Sequence, residues 1–80
     1  MAELTKVDQA AAFDFVASWH DEQGRRFREM ADDEPRTHAM DRAKARDASR
    51  HHLGSAAALR IRAADIRRAA LASATDAEGA

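Results

Sequence analysis

Cysteine is missing from these 80 residues, and with it every disulfide and every thiolate metal site. Tyrosine is absent too, and three phenylalanines and one tryptophan bring the aromatic content to only 5%. A chain this short with so few large rings builds a small core, so it gains from association with further chains. The one proline is Pro35, and the glycines Gly24, Gly54 and Gly79 are isolated from one another. Isolated glycines exclude the phosphate-cradling loops of nucleotide-binding folds. The serines, at 18, 49, 55 and 73, lack the flanking glycines of a nucleophile elbow. No apolar run approaches the roughly 20 residues of a membrane span, and no signal-peptide pattern opens the chain. The expectation is a cytoplasmic protein with no membrane partner.

What is present is alanine, arginine and aspartate. Eleven of the 13 basic residues are arginine, Lys6 and Lys44 being the exceptions. That bias is the mark of a GC-rich coding sequence, as in bacteria and their phages. The formal net charge of −1 hides a split. Residues 1–34 carry four cations and nine carboxylates, a net −5, whereas residues 35–80 carry nine cations and five carboxylates, a net +4. Two antiparallel helices with these charges complement each other without an outside partner.

The pattern is helical throughout, giving an all-α protein. A first helix is expected over about 8–31, with Thr5 or Asp8 as its cap. Phe13, Val16, His20, Gln23, Phe27 and Met30 recur at spacings of three and four and form its expected seam. Phe15 lies roughly 90° from the centre of that seam. Gly24, inside the helix, marks a close crossing or a kink, the crossing being the favoured reading. Ala31-Asp32-Asp33-Glu34-Pro35 is the strongest punctuation. Carboxylates suit a helix N-terminus and proline suits its first turn, so a tight turn is expected at 31–34 and a second helix from about 35. Short connections make such helices antiparallel neighbours.

The second helix is expected to run to about 73. Its regular stripe is Ala45, Ala48, His52, Ser55 or Ala56, Leu59, Ala63, Ile66 and Ala70, which keeps phase through Gly54. A second stripe, Leu53, Ala57, Ile61, Ala64 and Leu71, faces elsewhere and asks for a second neighbour. The expected architecture is therefore a helical hairpin over 1–74, with a disordered tail at 75–80, assembling into an oligomeric bundle. The alternative is a three-helix domain broken at Gly54-Ser55, with Gly54 as a C-cap and Ser55 capping a third helix.

Chemistry is thinly represented. His51 and His52 are adjacent, so on a helix they diverge by about 100° and cannot share an ion. No Glu-x-x-His or His-Glu-x-x-His pattern occurs. His20 and His52 both fall on seams, where a facing pair would make packing sensitive to pH. No catalysis, metal or cofactor is expected. The function expected is a non-enzymatic protein–protein interaction module acting as a homo-oligomer, with the dimer favoured. Phe15, Trp19, Leu53, Leu59, Ile61, Ile66 and Leu71 are its candidate contacts with a second copy or a protein partner. The alternative is a nucleic-acid-binding regulator using Arg46, Arg50, Arg60, Arg67 and Arg68, since a basic helical face is the electrostatic footprint of phosphate binding.

Overall fold

A computed structural model describes the backbone of residues 5–79 and the side chains of residues 5–75. Two helices account for nearly all of it: α1, Lys6–Asp32, and α2, Ala39–Gly79. They lie against each other as an antiparallel hairpin 64 Å long and 12 Å thick. The 41 residues of α2 span about 61 Å at 1.5 Å per residue.

Thr5 is the N-cap of α1. Its hydroxyl oxygen accepts the Asp8 amide at 3.1 Å, satisfying one of the free N–H groups of the first turn. The helix ends on Asp33, whose N–H donates to the Met30 carbonyl. The connection is longer than the sequence suggests and covers residues 33–38. The Asp33 carbonyl accepts the amides of Arg36 and Thr37 at 3.3 and 3.0 Å. The Arg42 guanidinium reaches back to the carbonyls of Glu34 and Thr37 at 3.3 and 2.7 Å. Pro35 therefore sits within the turn, not in the first turn of α2. The Asp32–Glu34 acids close α1 and enter the turn instead of capping α2. An arginine ten residues downstream of Asp32 satisfies carbonyls that a tighter turn would have left to water.

The seam of α1 differs from the expected one by a rotation. Ala10, Ala17, Gly24 and Ala31 are the buried residues, one every seventh position. Phe13, His20 and Phe27 are half-buried beside them, while Val16 and Met30 are exposed and Gln23 is half-buried. On α2 the same spacing recurs. Ser49, Ala56 and Ala63 are buried, again seven apart, with Ala45 and Ile66 and the half-buried His52 and Leu59 interleaved. The expected α2 stripe is thus present, with Ser49 buried where Ala48 was expected and Ala48 half-buried beside it.

Small residues lie on the line of closest approach because only they let two backbones come together; Phe13, Phe27, His20 and His52 flank that line. Gly24 measures how close the approach is. A Cβ built there would stand 2.9 Å from Leu53 Cδ2 and 3.4 Å from the Ser49 carbonyl oxygen. The Ser49 hydroxyl donates to the Gly24 carbonyl at 2.8 Å in the same place. Towards the open end Ala10, Ala63 and Ile66 form the core cluster, with Phe13 packed on it.

Gly54 is helical with ordinary backbone angles, and no glycine has a positive φ. The three-helix alternative fails there. A Cβ at Gly54 would meet nothing within 4 Å, since it lies on the outer surface. Within the hairpin Ile66 is buried and Leu59 half-buried. The expected tail at 75–80 falls largely on residues whose side chains lie outside the described set; the α2 backbone extends through Gly79.

Candidate functional surface

The half-buried middle of the hairpin holds a cluster of rings. His20 Nδ1 and His52 Nδ1 are 2.8 Å apart, so one imidazole donates its N–H to the bare nitrogen of the other. Phe27 stacks on His52 with the planes 5° apart at 5.6 Å. Trp19 stands edge-on to both histidines, at 5.0 and 5.7 Å. His51 meets His52 edge-on at 5.5 Å. Desolvation, followed by the neighbouring His20 and His51, holds the His52 imidazole below its ordinary pKa. The facing of His20 and His52 follows from their positions beside the seams of α1 and α2.

Along one edge of the hairpin runs a ladder of charges. Asp14 and Asp21 lie seven apart on α1, and Arg67 and Arg60 lie seven apart on α2. Arg67 Nη2 donates to Asp14 Oδ2 at 2.5 Å, and Arg60 pairs with Asp21 in the same way. The hydrogen bond from Arg60 holds the Asp21 carboxyl below its usual range, and Asp21 in turn raises the Arg60 guanidinium. The complementarity of acidic and basic halves is thus realised within one chain. Arg68 pairs with Asp65 on its own helix. Arg25 bridges Glu22 and Glu29 on α1, and Arg26 also holds Glu22.

The third rung of the ladder breaks the pattern. It brings Arg28 of α1 beside Leu53 of α2, with no carboxylate opposite. The two residues line a cleft of about 330 Å³ together with Ala31, Asp32, Arg46, Ser49 and Arg50. Among the described residues, Arg28, Arg46 and Arg50 form no ion pair.

The candidate contact residues divide into two groups. Phe15, at 77% exposure, Trp19 at 52%, Ile61 at 64%, Leu71 at 69% and Leu53 are on the surface. Ile66 is buried in the hairpin core and Leu59 is half-buried. Ala12, Phe15, Val16 and Trp19 make a continuous strip on α1 at spacings of three, one and three, on the flank away from the ion-pair ladder. Leu53, Ala57, Ile61, Ala64 and Leu71 make a separate strip on α2. Of the five arginines considered for nucleic acid, Arg60, Arg67 and Arg68 hold carboxylates, and Arg46 and Arg50 do not.

Two surface features were not legible in the sequence. Val16 and Met30 were assigned to the seam and are exposed. Arg28 was counted with an acidic helix and joins the basic cleft; its place seven residues beyond Asp21 was the available signal. Among the described residues no group of three or more His, Asp or Glu side chains could hold a metal ion, and no helix is long and apolar enough to cross a membrane. No family model, curated protein or solved structure matches the chain.

Proposed function

We propose that this chain is a non-enzymatic helical interaction module that works as a homo-oligomer built on a dimer. In a cell it would serve as a small bacterial or phage adaptor, inhibitor or assembly factor. The observation that carries this reading is the inversion of side-chain size between inside and outside. The buried apolar residues are alanines and Ile66, while Phe15, Trp19, Ile61 and Leu71 are exposed. Apolar area is stabilising when removed from water, at about 25 cal/mol per Å². A hairpin that leaves Phe15, Trp19, Ile61 and Leu71 outside has further stabilisation to gain by covering them.

The occupant we assign to the Ala12–Phe15–Val16–Trp19 strip is the same strip of a second copy. Anchors at this spacing are what one helix presents to another, and a two-fold contact needs only one self-complementary patch. Packing there would also cover the open side of the histidine pair, because Trp19 bridges the two features. The nucleic-acid reading has less support, since three of its five arginines are already neutralised within the chain.

Sedimentation velocity over a range of protein concentrations tests the proposal. The wild-type chain is expected to sediment as a dimer or larger, and Phe15→Asp to sediment as a monomer with unchanged helical circular dichroism. Phe15 suits the test because its exposure makes loss of the fold itself an unneeded explanation. A wild-type monomer at every concentration would overturn the oligomeric reading. Dissociation by Ile61→Asp with Leu71→Asp, but not by Phe15→Asp, would overturn the assignment to the α1 strip.

A further inference from the structure

The third rung of the charge ladder is chemically different from the first two. Three guanidiniums, Arg28 from α1 and Arg46 and Arg50 from α2, line one cleft with no carboxylate paired to any of them. Bringing like charges together is unfavourable unless something negative is placed between them. Elsewhere on these two helices Arg25, Arg26, Arg60, Arg67 and Arg68 have acidic partners, while Arg62 is unpaired but stands apart from any other arginine cluster on the opposite flank of α2. We propose that the Arg28–Arg46–Arg50 cleft is a binding site for a compact phosphoryl anion, such as a phosphate monoester or a diphosphate.

The rest of the lining agrees with that ligand class. Asp32 is the one carboxylate present, so the cleft keeps an excess of positive charge. The Ser49 hydroxyl is committed to the Gly24 carbonyl, which leaves recognition to the guanidiniums. Their planar forks suit phosphoryl oxygens, which they can contact in pairs. Ala31 and Leu53 supply an apolar wall for the organic part of an ester. The cleft, at about 330 Å³, is at the small end of the range for small-molecule sites.

The same geometry favours a compact anion over a nucleic-acid strand. A polyanion needs a track of free cations. Beyond Leu53 on this edge the next arginines, Arg60 and Arg67, are held by Asp21 and Asp14. On this edge of the hairpin, free positive charge is therefore confined to the cleft near the turn.

The test is titration of the wild-type chain with inorganic pyrophosphate at low ionic strength, followed by calorimetry and by the arginine Nε–H signals in NMR. One saturable site per chain is expected, with the signals of Arg28, Arg46 and Arg50 shifting together. Arg28→Gln, Arg46→Gln and Arg50→Gln should each weaken binding about tenfold or more, the scale of one charge-assisted contact. Arg50→Lys should fail to restore it, because a point charge lacks the fork. Arg62→Gln, an exposed and unpaired arginine on the other flank of α2, should bind as the wild type does. Absence of saturation would overturn the site, as would an equal loss in Arg62→Gln or shifts spread over all the arginines. An oligonucleotide that binds far more tightly than pyrophosphate, with a steep salt dependence, would overturn the compact-anion assignment in favour of a nucleic-acid face.

Discussion

Two glycines with the same backbone conformation have opposite roles in this hairpin. Gly54 is on the outer surface with open space around it. Replacing it by alanine removes the penalty of about 1 kcal/mol that glycine imposes on a helix interior. Gly54→Ala should raise the melting temperature by about 4–8 °C in a domain of this size, as thermal unfolding followed by circular dichroism would register. Gly24→Ala gains the same propensity but forces the Leu53 side chain to shift, so Gly24→Ala should fall short of Gly54→Ala in the same measurement. The histidine pair makes a second prediction at this scale. His20 and His52 share one N–H, so the contact survives one added proton but not two. His52 has a folded pKa below its ordinary value of 6.5. The unfolded chain therefore takes up its proton first as pH falls, and stability is lost below about pH 6.5 and fully present above it. Trp19, Phe27 and His51 face the pair, and the nearby carboxylate, Asp21, is held by Arg60. The melting temperature should drop as pH falls below about 6.5, and His52→Phe should flatten the drop. A flat wild-type profile would sink this reading.

At the scale of the element, α1 and α2 are held by a repeat of small residues every seventh position, flanked on one edge by ion pairs. The spacing of the backbones depends on the small residues, not on the charges. Exposed pairs such as Asp14–Arg67 contribute little and are screened by salt. Enlarging a seam alanine should therefore do far more damage than breaking an ion pair. Ala17→Leu inserts three heavy atoms where the helices are closest, and overpacking of this kind costs about 1–3 kcal/mol. Denaturant unfolding should show that loss, while Arg67→Ala should leave the midpoint nearly unchanged in molar salt. Comparable losses from the two substitutions would mean that charge, not packing, sets the hairpin.

For the whole molecule, the consequence of a seam made of alanine is a thin, long object with its large apolar groups outside. Its radius of gyration of 18.3 Å is well above the roughly 12 Å that compact folding predicts for 80 residues. Such a shape exposes much surface for its mass, and a second chain is the direct way to cover it. If a dimer forms as proposed, melting temperature should rise with protein concentration, because association stabilises by mass action. A concentration-independent transition would argue for a hairpin that stands alone. The basic cleft lies towards the turn, away from Phe15, so pyrophosphate should raise the melting temperature of Phe15→Asp as it does that of the wild type.

The two helices, their antiparallel pairing and the unbroken passage through Gly54 were legible in the sequence, because a hydrophobic pattern that keeps phase through a glycine specifies one rigid element. The charge split anticipated ion pairing between the halves for the same local reason. What the tertiary structure decided was the rotation of α1. Ranking residues by hydrophobicity selects Val16 and Met30 for the seam, but close packing of two backbones selects Ala17, Gly24 and Ala31, which sequence hydropathy scarcely distinguishes from surface alanines. That rotation exposes Val16, aligns Asp14 and Asp21 with Arg67 and Arg60, and leaves Arg28 opposite a leucine. The turn at 33–38 is likewise held by Arg42, whose side chain donates to the Glu34 and Thr37 carbonyls, a contact that the residues around Pro35 do not by themselves announce.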